Sequence, residues 1–326
     1  MRDNYNDVIL RWTMGTQNTV TLSDFSEKSK YVDSIWLCKL SIMSFQRWFL
    51  GARFVLMYNG FQYEDFVRIF EEIDVQMFAP VEFHNQHEEL KKGEITNSYS
   101  YFPTGVWWKW VPFRLDRNKH EIAVDTDIIC INEPKSWYDW INGDEEILVA
   151  PDRFEKVCIN TCGDFYTHPL LKGKKPANCG IVGQRSGCDF AERFFEITDE
   201  VRLGYTHDSM FITEQGTVNL WIYSLKEEGI NHLILDARKN AWARDFLLFI
   251  QQGTVVETIH AVSWYKKVIR NLGKIFENQI IGRYNNTSEF ISDVLKNSSE
   301  LDQGGKYLID RQARQHLQGK EYFFAD

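Results

Sequence analysis

The stretch that most constrains this 326-residue chain is Glu121–Ile131, where Asp125-Thr126-Asp127 interrupts an otherwise apolar run. Ile122, Ala123 and Val124 precede the triplet, and Ile128, Ile129 and Ile131 follow it, which is the make-up of a buried strand. Neighbouring side chains of a strand alternate between faces, so Asp125 and Asp127 are expected to point the same way. Two like charges side by side in a low dielectric are costly unless compensated. A hard divalent cation, Mg²⁺ or Mn²⁺, compensates them, taking one or two carboxylates and filling its other positions with water and phosphate oxygens. That reading puts a metal–diphosphate site at the end of a sheet strand. The alternative is a strand that stops at a surface Asp-Thr-Asp turn, and the triplet alone does not separate the two.

The rest of the chain supplies a framework for such a site. Val8–Trp12 reads as a first strand, and Thr13-Met14-Gly15-Thr16-Gln17 as the small loop after it, where open α/β sheets bind nucleotides. A helix is expected over 33–49, a strand over 53–58, a helix around 63–73 and a short strand over 75–79. This order indicates a largely parallel sheet with helices on both faces. Residues 82–102 read as a polar loop carrying His84 and His87, and 105–117 as an aromatic helix leading to the acidic strand. Beyond the triplet, 136–141 reads as a helix and 146–150 as a strand, with an apolar run from Asn178 to Gly183. Helices over 187–196 and 208–224 and strands over 231–236 and 254–260 complete the body. The last sixty or so residues read as helices packed on it, giving two units, 1–267 and 268–326.

Composition excludes some classes. A net charge of −9 argues against broad, nonspecific coating of nucleic acid, although the segment from Lys266 to Asp326 is locally basic. Six cysteines in a chain this long do not make a disulfide framework, and Cys158 and Cys162, with His168 nearby, read as buried thiols rather than a zinc site. No apolar run reaches the ~18 residues of a membrane span, and the start lacks a secretory apolar core. A soluble, cytoplasmic protein is expected.

Four elements then stand in a particular order: Lys109; Asp125-Thr126-Asp127; Asn178-Cys179-Gly180 with Glu214-Gln215; and His260 with Lys266. Together they resemble the nucleotide-sugar glycosyltransferases of the GT-A fold, most closely the retaining group of glycogenin and the bacterial lipopolysaccharide galactosyltransferases, over roughly residues 7–267. The resemblance implies a Rossmann-like, mixed but mainly parallel sheet flanked by helices, with a C-terminal helical extension. It implies that Asp125, Asp127 and His260 hold Mn²⁺ or Mg²⁺ on the donor diphosphate. Thr13, Met14, Gly15, Lys109, Thr126, Asn178, Gly180 and Lys266 make up the implied donor-binding set. Cys179 stands where the family has Ala, Glu214 where it has Asp, and Ser263 where it has the Gly of His-x-x-Gly-x-x-Lys.

The implied chemistry is transfer of a sugar from a nucleotide-diphosphate sugar, a UDP-sugar by resemblance, to a hydroxyl. Cleavage of the sugar–diphosphate bond needs the leaving charge neutralised, which a divalent ion and lysines supply electrostatically. Retention is expected, with Glu214 or Gln215 near the anomeric carbon; inversion would call on Asp208 as base. The acceptor stays open among a glycan, a protein hydroxyl and a hydroxymethylated DNA base. Two other classes compete, a nucleotidyltransferase and a non-catalytic module that binds nucleotide-sugars.

Overall fold

A computed structural model describes residues 4–20, 30–61, 63–78, 107–110, 113–152, 167–204, 210–242 and 245–261, with single positions at 162, 165, 278, 289, 292 and 293. The His84 and His87 loop, Cys158, Asp208 and Lys266 lie outside the described residues. So does most of the expected C-terminal unit.

A large sheet runs through the body in the order β3-β2-β1-β4-β7-β6-β8. Its strands are β1 (Val8–Val20), β2 (Arg53–Phe61), β3 (Gln76–Phe78), β4 (His120–Val124), β6 (Ile147–Pro151), β7 (Ala177–Gln184) and β8 (His232–Ile234). All neighbouring pairs are parallel except those of β7, which runs antiparallel to both β4 and β6. The central strands are covered on both faces, and every residue of β4 and β7 is buried. That is why they read as continuous apolar runs rather than alternating ones.

The acidic stretch differs from the single strand expected. β4 ends at Val124, Asp125–Asp127 form a turn, and the chain continues as β5 (Ile128–Cys130) in a second sheet, ordered β5-β10-β9. The other members are β9 (Asn240–Trp242) and β10 (Thr258–His260). Apolar residues on both sides of the triplet conceal the break, because each half is buried in a different sheet.

Helices pack around this frame: α1 (Lys30–Gln46), α2 (Tyr63–Phe70), α3 (Lys135–Asn142), α4 (Ala191–Gly204), α5 (Met210–Glu227) and α6 (Phe246–Gln251). Trp12, Phe45, Phe49 and Trp137 fill the space between β1, α1 and α3. Two buried serines fasten α1 to β5. Ser41 accepts the Trp12 indole N–H at 2.8 Å and donates to the Ile128 carbonyl, while Ser44 accepts the Cys130 N–H at 2.9 Å. The strand that follows Asp127 is thereby fixed to a helix.

Two further expectations change. Thr13, Met14 and Gly15 are not in a loop but in β1, opposite Met57, Tyr58 and Asn59 of β2. The aromatic segment 105–117 is not a long helix; Trp107–Trp110 make a short 3-10 helix. Pro112 lacks a donor and disfavours the α conformation in the residue before it, so a helix cannot run through. The segment is held instead by buried Arg11, which pairs with Glu121 at 3.1 Å and donates to the carbonyls of Lys109 and Phe113.

Candidate active site

Strand register assembles the acidic centre. Val124 pairs with Ile181, which brings Asp125 beside Gly180, and the Asp125 N–H donates to the Gly180 carbonyl at 2.7 Å. In the small sheet His260 pairs with Ile128, and the Ala261 N–H donates to the Asp127 carbonyl at 2.8 Å. The result gathers Asp125, Asp127 and His260, whose ligand-type atoms all lie within 4.8 Å of one another. His260 Nε2 is 3.3 Å from Asp127 Oδ1 and 3.9 Å from Asp125 Oδ2. Burial opposes charge on His260, but the Asp127 and Asp125 carboxylates outweigh it and push the imidazolium above its ordinary range. The two carboxylates therefore do meet, through a turn between sheets and not through strand alternation.

Gly180 makes room for them. A Cβ there would stand 2.8 Å from Asn178 Oδ1, 3.0 Å from His260 Cε1 and 3.2 Å from Asp125 Oδ2. Asn178 spends that same oxygen on the Gly180 N–H, at 2.7 Å.

Lys109 joins the acidic centre to the helix behind it. Its ammonium lies 2.6 Å from Asp125 Oδ1 and 3.3 Å from Glu214 Oε1, and it donates to the Cys179 carbonyl at 2.8 Å. Burial alone would strip its charge, but the Asp125 and Glu214 carboxylates hold it well above the usual lysine range. Glu214, on α5 and buried, also accepts the Trp110 indole N–H at 2.9 Å. Burial pushes its carboxyl upward, with Lys109 offsetting part of the effect.

The seat of α5 against β7 follows from spacing. Gln215 and Asn219 are one helical turn apart and meet Cys179 and Ala177, which share a face of the strand. Asn219 exchanges two hydrogen bonds of 2.8 Å with the Ala177 backbone. The Gln215 side-chain oxygen, Oε1, accepts the Cys179 N–H at 3.2 Å and its S–H at 3.1 Å, and the Gln215 side-chain amide nitrogen donates to Asp152 at 3.4 Å. Burial keeps the Cys179 thiol well above its ordinary pKa, hence protonated and able to donate.

The structure thus brings together Lys109, Asp125, Asp127, Asn178, Gly180, Glu214, Gln215 and His260 from five separate parts of the chain. Thr126 lies in the turn between the two carboxylates. Thr13, Met14 and Gly15 stand on β1, one strand away from β4. Sequence reasoning missed Asp152, a buried carboxylate at the end of β6, along with Trp110 and the Arg11–Glu121 pair. An aspartate after an apolar strand was the available signal for Asp152. Nothing local marked Arg11, which sits inside a strand pattern.

No protein-family model matches the chain, and a search of curated proteins finds no match. Solved structures do match. The apo structure of WbbM, a bifunctional glycosyltransferase, aligns at a TM-score of 0.50 with 11% identity, covering 90% of this chain and 52% of its own. The fold is GT-A. The chain spans about half the length of WbbM. Mouse xyloside xylosyltransferase 1 aligns at 0.48 with 10% identity over 78% of this chain and 98% of its own. The galactosyltransferase LgtC, solved with donor and acceptor sugar analogs, aligns at 0.48 with 12% identity over 85% and 97%. In this GT-A chain the acidic centre lies where β4 of the large sheet gives way to the small one.

Proposed function

We propose that the chain is a metal-dependent glycosyltransferase that moves a sugar from a UDP-sugar to a hydroxyl acceptor with retention. The observation that carries this reading is the convergence of Asp125, Asp127 and His260 beside Lys109 in a GT-A fold. Two carboxylates and an imidazole suit a divalent ion such as Mn²⁺ or Mg²⁺. The space left by Gly180, which a Cβ would fill against two of the three groups, supports the same fit. When bound, the ion supplies positive charge to the departing nucleotide diphosphate.

The chain's own residues do the rest. Lys109 adds a fixed positive charge at the diphosphate side, and Lys266, outside the described residues, a second. Thr13, Met14, Gly15, Thr126, Asn178 and Gly180 bind the donor. Glu214 orients Lys109 from behind, since its carboxylate already accepts from Lys109 and Trp110. Gln215 and Asp152 supply the amide and carboxylate that steady positive charge at the sugar carbon. Asp208 is the base an inverting reaction would require.

A thermal-shift series with UDP, GDP and their sugars, with and without Mn²⁺, tests this directly. Stabilisation by UDP compounds that appears only with Mn²⁺ is the expected result, because ligands that bind only the folded state raise its melting temperature. Absence of any metal-dependent nucleotide effect overturns it. Radiolabelled transfer onto glycan, protein and hydroxymethylated DNA pools then identifies the acceptor.

A further inference from the structure

An ammonium group has three hydrogens to donate and no capacity to accept. On Lys109 all three have protein acceptors: Asp125 Oδ1 at 2.6 Å, the Cys179 carbonyl at 2.8 Å and Glu214 Oε1 at 3.3 Å. Its side chain is only 8% exposed. A lysine assigned to the donor diphosphate therefore has no hydrogen left for it.

Two of the three acceptors are fixed. The Cys179 carbonyl belongs to a buried strand in the middle of the sheet. Glu214 is buried and held by the Trp110 indole. Asp125 differs from both. It lies in the turn between the two sheets, its side chain is 30% exposed, and it alone also belongs to the metal-ligating group.

We propose that Lys109 exchanges partners: when a divalent ion draws the Asp125 carboxylate, whose Oδ2 already faces His260, away from its Oδ1 contact with Lys109, Lys109 passes the freed hydrogen to the diphosphate of the donor. The inference rests on the metal and donor reading above and adds an order to it. Lys109 and the ion are like charges contending for one carboxylate, so each weakens the other's hold on it. A diphosphate ends the contest by giving Lys109 a new anionic partner. Ion and diphosphate consequently bind as a linked pair, each raising the other's affinity by the same factor. The ion by itself binds weakly.

The test measures Mn²⁺ binding by the paramagnetic resonance signal of the free ion, for the native chain, Lys109→Met and Asp127→Asn. Without nucleotide, Lys109→Met is expected to bind Mn²⁺ about tenfold more tightly than the native chain, a coupling of ordinary allosteric size. Saturating UDP should tighten Mn²⁺ on the native chain much more than on Lys109→Met. If Lys109→Met binds Mn²⁺ no more tightly, while Asp127→Asn loses it, the exchange is overturned and the metal reading survives. If the native chain does not bind Mn²⁺ even with saturating UDP, or Asp127→Asn then binds it equally well, the metal reading fails and the exchange with it. Should Lys109→Met not fold, the native chain decides by nitrogen-15 resonance of lysine ammonium groups. A protected Lys109 signal should move with Mg²⁺ and again with UDP; a signal that stays still while both bind overturns the exchange.

Discussion

Gly180 concentrates the constraints of the site in one missing methyl group. Alanine there would press on Asn178, His260 and Asp125 together, at contacts of 2.8 to 3.2 Å. Because Asp125 lies in the turn after β4 of the large sheet and His260 in β10 of the small one, they cannot retreat as a unit. Gly180→Ala is expected to keep the fold and weaken Mn²⁺ binding at least about tenfold, as displaced supports of metal ligands do. Calorimetric titration with Mn²⁺ checks this, and unchanged affinity would show that the pocket tolerates the methyl. At this scale much of the site was legible, for a chemical reason. Asp125, Asp127, His260 and Lys109 carry charge or coordinating atoms whose sequence order resembles a known pattern. Asp152 and Arg11 escaped because one polar residue at the end or in the middle of an apolar run carries no such pattern, and their partners, Gln215 and Glu121, are far away in sequence.

Among the elements, α1 sets the position of β5 through its serines. Ser41→Ala removes the acceptor of the Trp12 indole N–H and the donor to the Ile128 carbonyl, leaving both buried groups unmet. The expected loss is about 1–3 kcal/mol, the usual cost of an unsatisfied buried polar group, read from urea unfolding. Since Ile128 directly follows Asp127, Mn²⁺ affinity should fall as well; a loss of stability with full affinity would make the serine a fastening of the fold alone. Most strands and helices were readable from apolar periodicity, with ends moved by a few residues. The α4 helix starts at Ala191 rather than 187, where Asp189 accepts the Ala191 N–H at 3.2 Å and opens the first turn. The division of 121–131 between two sheets was not readable. It is decided by the pairing of β5 with β10, some 130 residues later.

For the molecule as a whole, His232 ties stability to pH. Burial, helped by the positive charge of Lys226, lowers its pKa to about 4 from the ordinary 6.5. Between those values the unfolded chain binds a proton that the folded chain refuses, so stability rises with pH across this window. It is complete above about 6.5 and lost as pH falls towards 4, by at most about 3 kcal/mol. His232→Gln should flatten that part of the pH profile of urea unfolding; an unaltered slope would assign it to other groups. Among the described residues no helix is long and apolar enough to cross a membrane. The pairing of β10 with β5 has a kinetic consequence. A site whose ligands are joined by so long a loop closes only after that loop has been ordered, which makes the closure slow and late. Ligands that need Asp125, Asp127 and His260 together should then leave the refolding rate unchanged and retard unfolding, so that Mn²⁺ with UDP lengthens the lifetime of the native state without hastening its formation.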